Sequence, residues 1–411
     1  MPTRSGWIVP LVIVMAACSG GNTATPITGT STTVYLEVAE STADPTPMTT
    51  TTVPTTTSTT PPATTTTTLV PVDGLSAAER VLTPTATIQG DIAPKSIVAS
   101  GRGHFIAQNM MYRHTITVYD REYQLVATIS DAVVPSDYGH DGYEGEYLGS
   151  PVEAAFTSDG AFAYVSNYKM YGGGLDTSAG DDCNEGNWPD SFVYRLDMAS
   201  LTIDQVIRVG PVPKFLAVTP DDRHVIVSNW CGFDVSIIDV ASGSEVTRVD
   251  VGRHPRGIVV NPGSTTAYVA VMGSSDIAVI ALEAFSVWYL EDVGRSPRHL
   301  VLSPGGQYLY ASLNGEGRLI KIDLTTGEVV GSVATGNAPR SMAISDDGSA
   351  LYVVNYNSAT MSKVRTEDMT ELAEFETGIN PIGISYDAST REVWVSNYSG
   401  TIQVFTDLAP E

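Results

Sequence analysis

The sequence predicts an all-β fold: a ring of seven blades, each of four antiparallel strands, which is a β-propeller. Three observations predict it. First, a proline followed closely by a hydrophobic alternation recurs at Pro94, Pro151, Pro213, Pro255, Pro297, Pro339 and Pro381. Second, the last five of these prolines are each 42 residues apart, and the first two gaps, 57 and 62, are the same period with insertions of 15 and 20 residues. Third, each repeat reads as four short strands. In the third repeat these are 215–219, 225–228, 235–239 and 246–251, separated by turn clusters such as Pro220-Asp221-Asp222 and Ala241-Ser242-Gly243. Nothing in that repeat has the period of an amphipathic helix. A period of about 40 to 45 residues with four strands is a propeller blade.

The ends of the ring follow from the same count. The last repeat supplies three strands (382–386, 393–396 and 401–405), and then the chain stops. Ahead of the first proline, residues 84–90 look like an outer strand without a blade of its own. Pairing 85–90 with 401–405 closes the ring and removes an open sheet edge.

The second strand of several repeats reads Tyr164-Val165-Ser166-Asn167, Tyr352-Val353-Val354-Asn355 and Trp394-Val395-Ser396-Asn397. These runs resemble the signature of the YVTN propeller repeats, and Asp323 to Glu328 resembles that family's turn between its third and fourth strands. The resemblance covers about residues 84–407, with Val271 and Leu313 standing where the pattern has Asn. It implies a bacterial surface or lipoprotein domain and leaves the activity open.

The N-terminal part reads differently. Arg4 precedes an apolar run, Trp7 to Ala16, that is too short to span a bilayer. It ends in Met15-Ala16-Ala17-Cys18, which resembles a bacterial lipobox with Met in place of the usual Leu. Residues 1–17 are therefore expected to be a leader, and Cys18 the lipidated residue that anchors the chain to the cell membrane in the envelope. Residues 18–80 are expected to be a disordered stalk, nearly all Thr and Pro between Thr46 and Thr68. About 60 residues of flexible coil span roughly 43 Å r.m.s.. Residues 81–411 are then the propeller.

The chain has 411 residues and a formal net charge of −24. That argues against nucleic acid, which is bound by clustered cations. No cofactor is expected, and the propeller is expected to be a monomer. The insertions, about 131–150 and 169–190, fall in a link between blades 1 and 2 and inside blade 2. Both rise from the face shared by the d–a and b–c loops, here called the top, and loops on a rigid scaffold are where binding is placed. Cys183 lies in the second insertion and Cys231 in a top turn of blade 3, so a disulfide between them is the reading for an extracytoplasmic protein. Asp137 and Asp141 faintly match the start of a calcium loop without its terminal Glu.

The residue after each anchoring proline carries the functional signal. It is Lys95, Lys214, Arg256, Arg298 and Arg340 in five blades, and Val152 and Ile382 in the other two. These cations are expected to ring the upper mouth of the central channel. Asn109, Asn167, Asn229, Asn355 and Asn397 end the second strand on the same face, followed by Tyr168, Trp230, Tyr356 and Tyr398 in four blades. Cations and amides suit carboxylates and phosphates, and aromatic faces suit planar or apolar ligands. The alternative is structural: cations paired with a neighbouring blade's acid, and Asn capping its turn.

The six histidines do not cluster at metal spacing, and only His254 and His299 flank the basic ring in neighbouring blades. No nucleophile elbow is present. Two function classes follow. One is a non-catalytic binding module for an anionic small molecule, a cell-wall glycan or an envelope protein. The other is a propeller enzyme, lactonase-like or quinoprotein- or amine-dehydrogenase-like, working on the same face.

Overall fold

A computed structural model describes residues 74–175, 182–183 and 188–410. The leader, Cys18 and most of the stalk lie outside the described residues, as do Asp176, Asp181 and Glu185 of the second insertion.

The described chain forms seven four-stranded antiparallel sheets. Their inner strands, a, are Ser96–Ala99, Pro151–Phe156, Pro213–Val218, Pro255–Val260, Pro297–Leu302, Pro339–Ile344 and Pro381–Asp387. Each packs against the inner strands of the two flanking blades, and blade 1 meets blade 7, so the ring is closed. The core lies between blades rather than at the centre. One cluster joins Ile237 of blade 3 to Ile258 and Val269 of blade 4, and another joins Phe105 of blade 1 to Trp394 of blade 7.

Closure runs as the sequence predicts, with a longer strand. Val81–Gln89 pairs antiparallel with Thr401–Leu408, Gln89 opposite Thr401 and Ile88 opposite Ile402. Pro84 can sit in this strand because it is an outer edge, where a missing N–H breaks no further ladder. Residues ahead of position 81 also pack on the ring. Ala77 and Ala78 donate their backbone N–H groups to Asp347 Oδ2 (2.7 Å) and Ser349 Oγ (3.0 Å) of blade 6, and Ala77 is buried. The junction is bolted by a buried pair. Lys363 Nζ donates to Asp407 Oδ1 (2.6 Å) and to the Arg80 carbonyl (2.9 Å), and Tyr352 donates its hydroxyl to Asp407 Oδ2 (2.6 Å).

The anchoring prolines each have a defined place. Pro151, Pro213, Pro339 and Pro381 lie opposite Asn167, Asn229, Asn355 and Asn397, and Pro255 and Pro297 lie opposite Val271 and Leu313. Immediately after each of these six prolines the register shifts, so strand a carries an extra residue there. A bulge of this kind re-aims the side chain it inserts. The residue before the proline is left-handed in five blades: Val212, His254, Ser296, Ala338 and Asn380, with φ between 55° and 59°. That reversal delivers the chain to the channel mouth. It costs about 1–2 kcal/mol at a residue with a Cβ. The bulk at the innermost position is kept low where strands converge: a Cβ on Gly257 would lie 2.8 Å from the Arg298 carbonyl oxygen.

Candidate functional site

The bulge after the proline aims its residue into the top of the channel. Lys95, Lys214, Arg256, Arg298 and Arg340 converge there on one cavity of about 300 Å³. Four of them, all but Arg340, are only 7–8% exposed. The expected basic ring is thus brought together in space.

Two of the cations are steered by the expected aromatic residues. Lys214 Nζ lies 4.3 Å from the Tyr168 ring centroid and 5.2 Å from that of Trp230. The Arg340 guanidinium carbon lies 3.4 Å from the Tyr356 centroid. Ring faces carry negative potential, so these contacts hold the cations in place. Tyr168, Trp230 and Tyr398 line the cavity itself, whereas Tyr356 lies behind Arg340.

Of the two readings of the asparagines, their surroundings favour the structural one. Asn109, Asn167, Asn229, Asn355 and Asn397 are fully buried, and none lines the cavity. Their amides are spent inside the blades. Asn229 Nδ2 donates to Asp234 Oδ1 (2.7 Å) and Ser236 Oγ (2.8 Å). Asn355 Nδ2 donates to Thr360 Oγ1 (3.1 Å) and Ser362 Oγ (2.9 Å). Asn397 Nδ2 donates to Thr401 Oγ1 and Gln403 Oε1, both at 3.1 Å. Asn109 and Asn167 also accept from the link that precedes strand a, from Ala93 N–H (3.1 Å) and Ser150 N–H (3.0 Å). They stitch strand b to its neighbours, as the structural alternative holds.

Three features of the mouth were missed from sequence. A single helical turn, Met110–Arg113, fills the b–c link of blade 1 and places Met110, Met111 and Tyr112 on the cavity wall. With Val152, Tyr168, Trp230 and Tyr398, the two methionines form one apolar cluster. The signal was available: Met110 holds the position where other blades carry an aromatic residue. The third feature is Glu153, a buried carboxyl two residues after Pro151, in a blade whose bulge residue, Val152, carries no charge.

The electrostatics of this mouth are unfavourable by construction. Burial, then the charges of Arg256 and Arg340, push the Arg298 guanidinium well below its ordinary value. A guanidinium stays charged at neutral pH, so the shift records a cost. Burial, Arg256 and Arg298 lower the Lys95 amine in the same way, and Glu153 opposes them. Burial raises the Glu153 carboxyl, against the pull of Lys95 and Arg256. Among the described residues no ion pair engages Lys95, Arg298 or Arg340. The Arg340 Nε is buried and has no hydrogen-bond partner there.

The two histidines beside the ring are not a pair. His299 accepts from the Met342 N–H at Nδ1 (3.3 Å) and packs on Phe215. Burial, then Arg298, Arg256 and Lys95, push it down to about 3, so it is neutral at physiological pH. His254 instead stacks on Trp230, centroids 4.4 Å apart.

The first insertion, between Ser130 and Pro151, touches the second through the Leu148–Tyr171 bridge. Its ends are clasped by His114, whose Nδ1 lies 3.1 Å from Asp131 Oδ2 and 2.8 Å from the Gly149 carbonyl. Its tyrosines turn inward: Tyr138, Tyr143 and Tyr147 pack on a cluster with Phe192 and Tyr194. Asp137 and Asp141 are exposed, and among the described residues no group of three His, Cys, Asp or Glu is placed to hold a metal. Cys183 and Cys231 are joined in a disulfide, and Cys231 packs against the apolar cluster of the mouth. A disulfide fits an oxidising, extracytoplasmic location. Among the described residues no helix is long and apolar enough to cross a membrane.

No family model and no curated protein matches the chain. Solved structures do match, among them a chain of Kuenenia stuttgartiensis hydrazine synthase, with a TM-score of 0.62 and 16% identity over 79% of this chain and 98% of that one. At that identity the likeness speaks to the propeller fold alone, and folds of this kind host many unrelated functions.

Proposed function

We propose that this protein is an extracytoplasmic binding module that holds an anionic ligand at the upper mouth of its propeller, and that lipid at Cys18 and the Thr/Pro-rich segment keep it at the cell surface. One observation carries the reading. Cations from five blades, four of them buried, surround one small cavity, and the described residues give Lys95, Arg298 and Arg340 no ion pair. Like charges are not gathered and desolvated for stability, because each costs several kcal/mol unless compensated. An anion entering the mouth supplies that compensation and meets preorganised donors. The enzyme reading has only the hydrazine synthase likeness behind it, and that reaches no further than the fold.

The test is a thermal-shift screen of residues 74–411, which contain every strand of the ring, purified under oxidising conditions. The panel is oxoanions, carboxylates, muropeptides, neutral sugars and Ca²⁺. Stabilisation by anions that disappears in the Arg256→Ala, Arg298→Ala variant is the expected result. No shift with any class, together with a lower melting temperature in that variant, would make the ring structural.

A further inference from the structure

The ligand of this mouth can be narrowed, on the reading that it binds an anion at all. The cavity wall is uneven in character. Arg256, Arg298 and Arg340 come from three consecutive blades and form one arc of its wall. Two other blades carry apolar residues after the proline, Val152 in blade 2, which lines the cavity, and Ile382 in blade 7; both are buried, and Lys95 of blade 1 lies between these blades. Met110, Met111 and Tyr398 cluster with Val152, the Tyr398 hydroxyl 3.1 Å from Met110 Sδ. Thioethers and ring faces pack flat or aliphatic bodies. Guanidinium forks match the paired oxygens of carboxylate and phosphate.

Size and charge set two further limits. A volume of about 300 Å³ exceeds a bare oxyanion and is the size that small organic ligands occupy. Five cations line the cavity and one buried carboxyl, Glu153, stands beside them, so a ligand with two negative charges is favoured over one with a single charge.

We propose that the site takes a small amphipathic organic dianion, its acidic oxygens on the Arg256–Arg298–Arg340 arc and its apolar body against Met110, Met111 and Tyr398. A phosphomonoester and a dicarboxylate share this chemistry.

Calorimetric titration of residues 74–411 separates the elements of the proposal without any substitution. The probes are phenyl phosphate, phthalate, inorganic phosphate, benzoate and phenyl glucoside. The dianions with a ring, phenyl phosphate or phthalate, bind about ten-fold or more tighter than inorganic phosphate, which lacks the body, and than benzoate, which lacks the second charge. Phenyl glucoside gives no heat. Met111→Gln weakens phenyl phosphate and leaves inorganic phosphate unchanged, while Arg298→Met weakens both. Equal binding of inorganic phosphate and phenyl phosphate overturns the apolar wall, and equal binding of benzoate overturns the dianion. In either case the anion site itself survives. If no anion binds, the inference fails together with the reading beneath it.

Discussion

Replacing Arg298 with methionine should make the protein more stable and its mouth less able to bind. Arg298 is 8% exposed, and Nη1 has the Met272 sulfur at 3.6 Å as its recorded partner. Burial and the charges of Arg256 and Arg340 all disfavour its cation. Methionine keeps most of the side chain's length and apolar packing and removes the charge. Replacing buried charges by apolar groups of similar size is neutral to stabilising by about 1–4 kcal/mol, so a gain of about 2 kcal/mol is expected. At about 2 °C per kcal/mol for a large domain, the melting temperature rises by about 4 °C. The assay is thermal denaturation at low ionic strength, followed by circular dichroism. Added sulfate should narrow the difference by compensating the wild-type cation. A melting temperature lower by a similar amount would refute the reasoning, because it would mean that Arg298 supports the ring.

Three further outcomes follow from the surroundings of the mouth. Asn355→Ala removes the donor to Thr360 and Ser362 in a fully buried site; it should cost about 1–3 kcal/mol in urea unfolding and leave anion affinity unchanged. The Asp131 carboxyl is pushed from 3.8 up to about 6, by burial first and against His114. The native state therefore holds this proton more tightly than the unfolded chain. That stabilisation is complete below about pH 4 and is lost as pH rises through about 6, up to about 3 kcal/mol in all. Urea midpoints measured across this window should show Asp131→Asn gaining on wild type as pH rises, and a gain as pH falls would contradict it. The Cys183–Cys231 bridge closes a separation of 48 residues, for which chain entropy sets a ceiling of about 4 kcal/mol. Reductant should lower the wild-type melting temperature and leave that of the Cys183→Ser, Cys231→Ser variant unmoved.

The fold was legible because a propeller writes its geometry as a period. One proline per 42 residues fixes where each inner strand starts, and the unmatched strand before Pro94 must close the ring. The basic ring was legible for the same reason: a residue tied to the proline by one peptide bond reaches the channel mouth in the same place blade after blade, at a bulge in six of the seven. The asparagines stood between two readings because position gives the face of the ring and not the direction of the amide. The repeats did hold that information. Where strand b ends in Asn229 or Asn355, the facing third strand carries Ser236 or Ser362, seven residues on. Where it ends in Val271 or Leu313, the same position is Ala278 or Ile320. Polar meets polar and apolar meets apolar, which marks a buried internal contact. Glu153 and the Met110–Arg113 turn were missed because each occurs in one blade only, and a reading built on recurrence passes over what does not recur. Ala77 and Arg80, which precede the expected boundary at 81, are buried through backbone and side-chain contacts with blade 6 that composition does not record.

The central claim is that an anion sits at the upper mouth, and a crystal structure of residues 74–411 grown with phenyl phosphate tests it most directly. The account predicts phosphate oxygens within hydrogen-bond distance of Arg298 and Arg340, including the buried Arg340 Nε, with the ring against Met111 and Tyr398. An unliganded mouth with the phosphate bound elsewhere, or with Arg298 and Arg340 turned onto carboxylates of neighbouring blades, would contradict it.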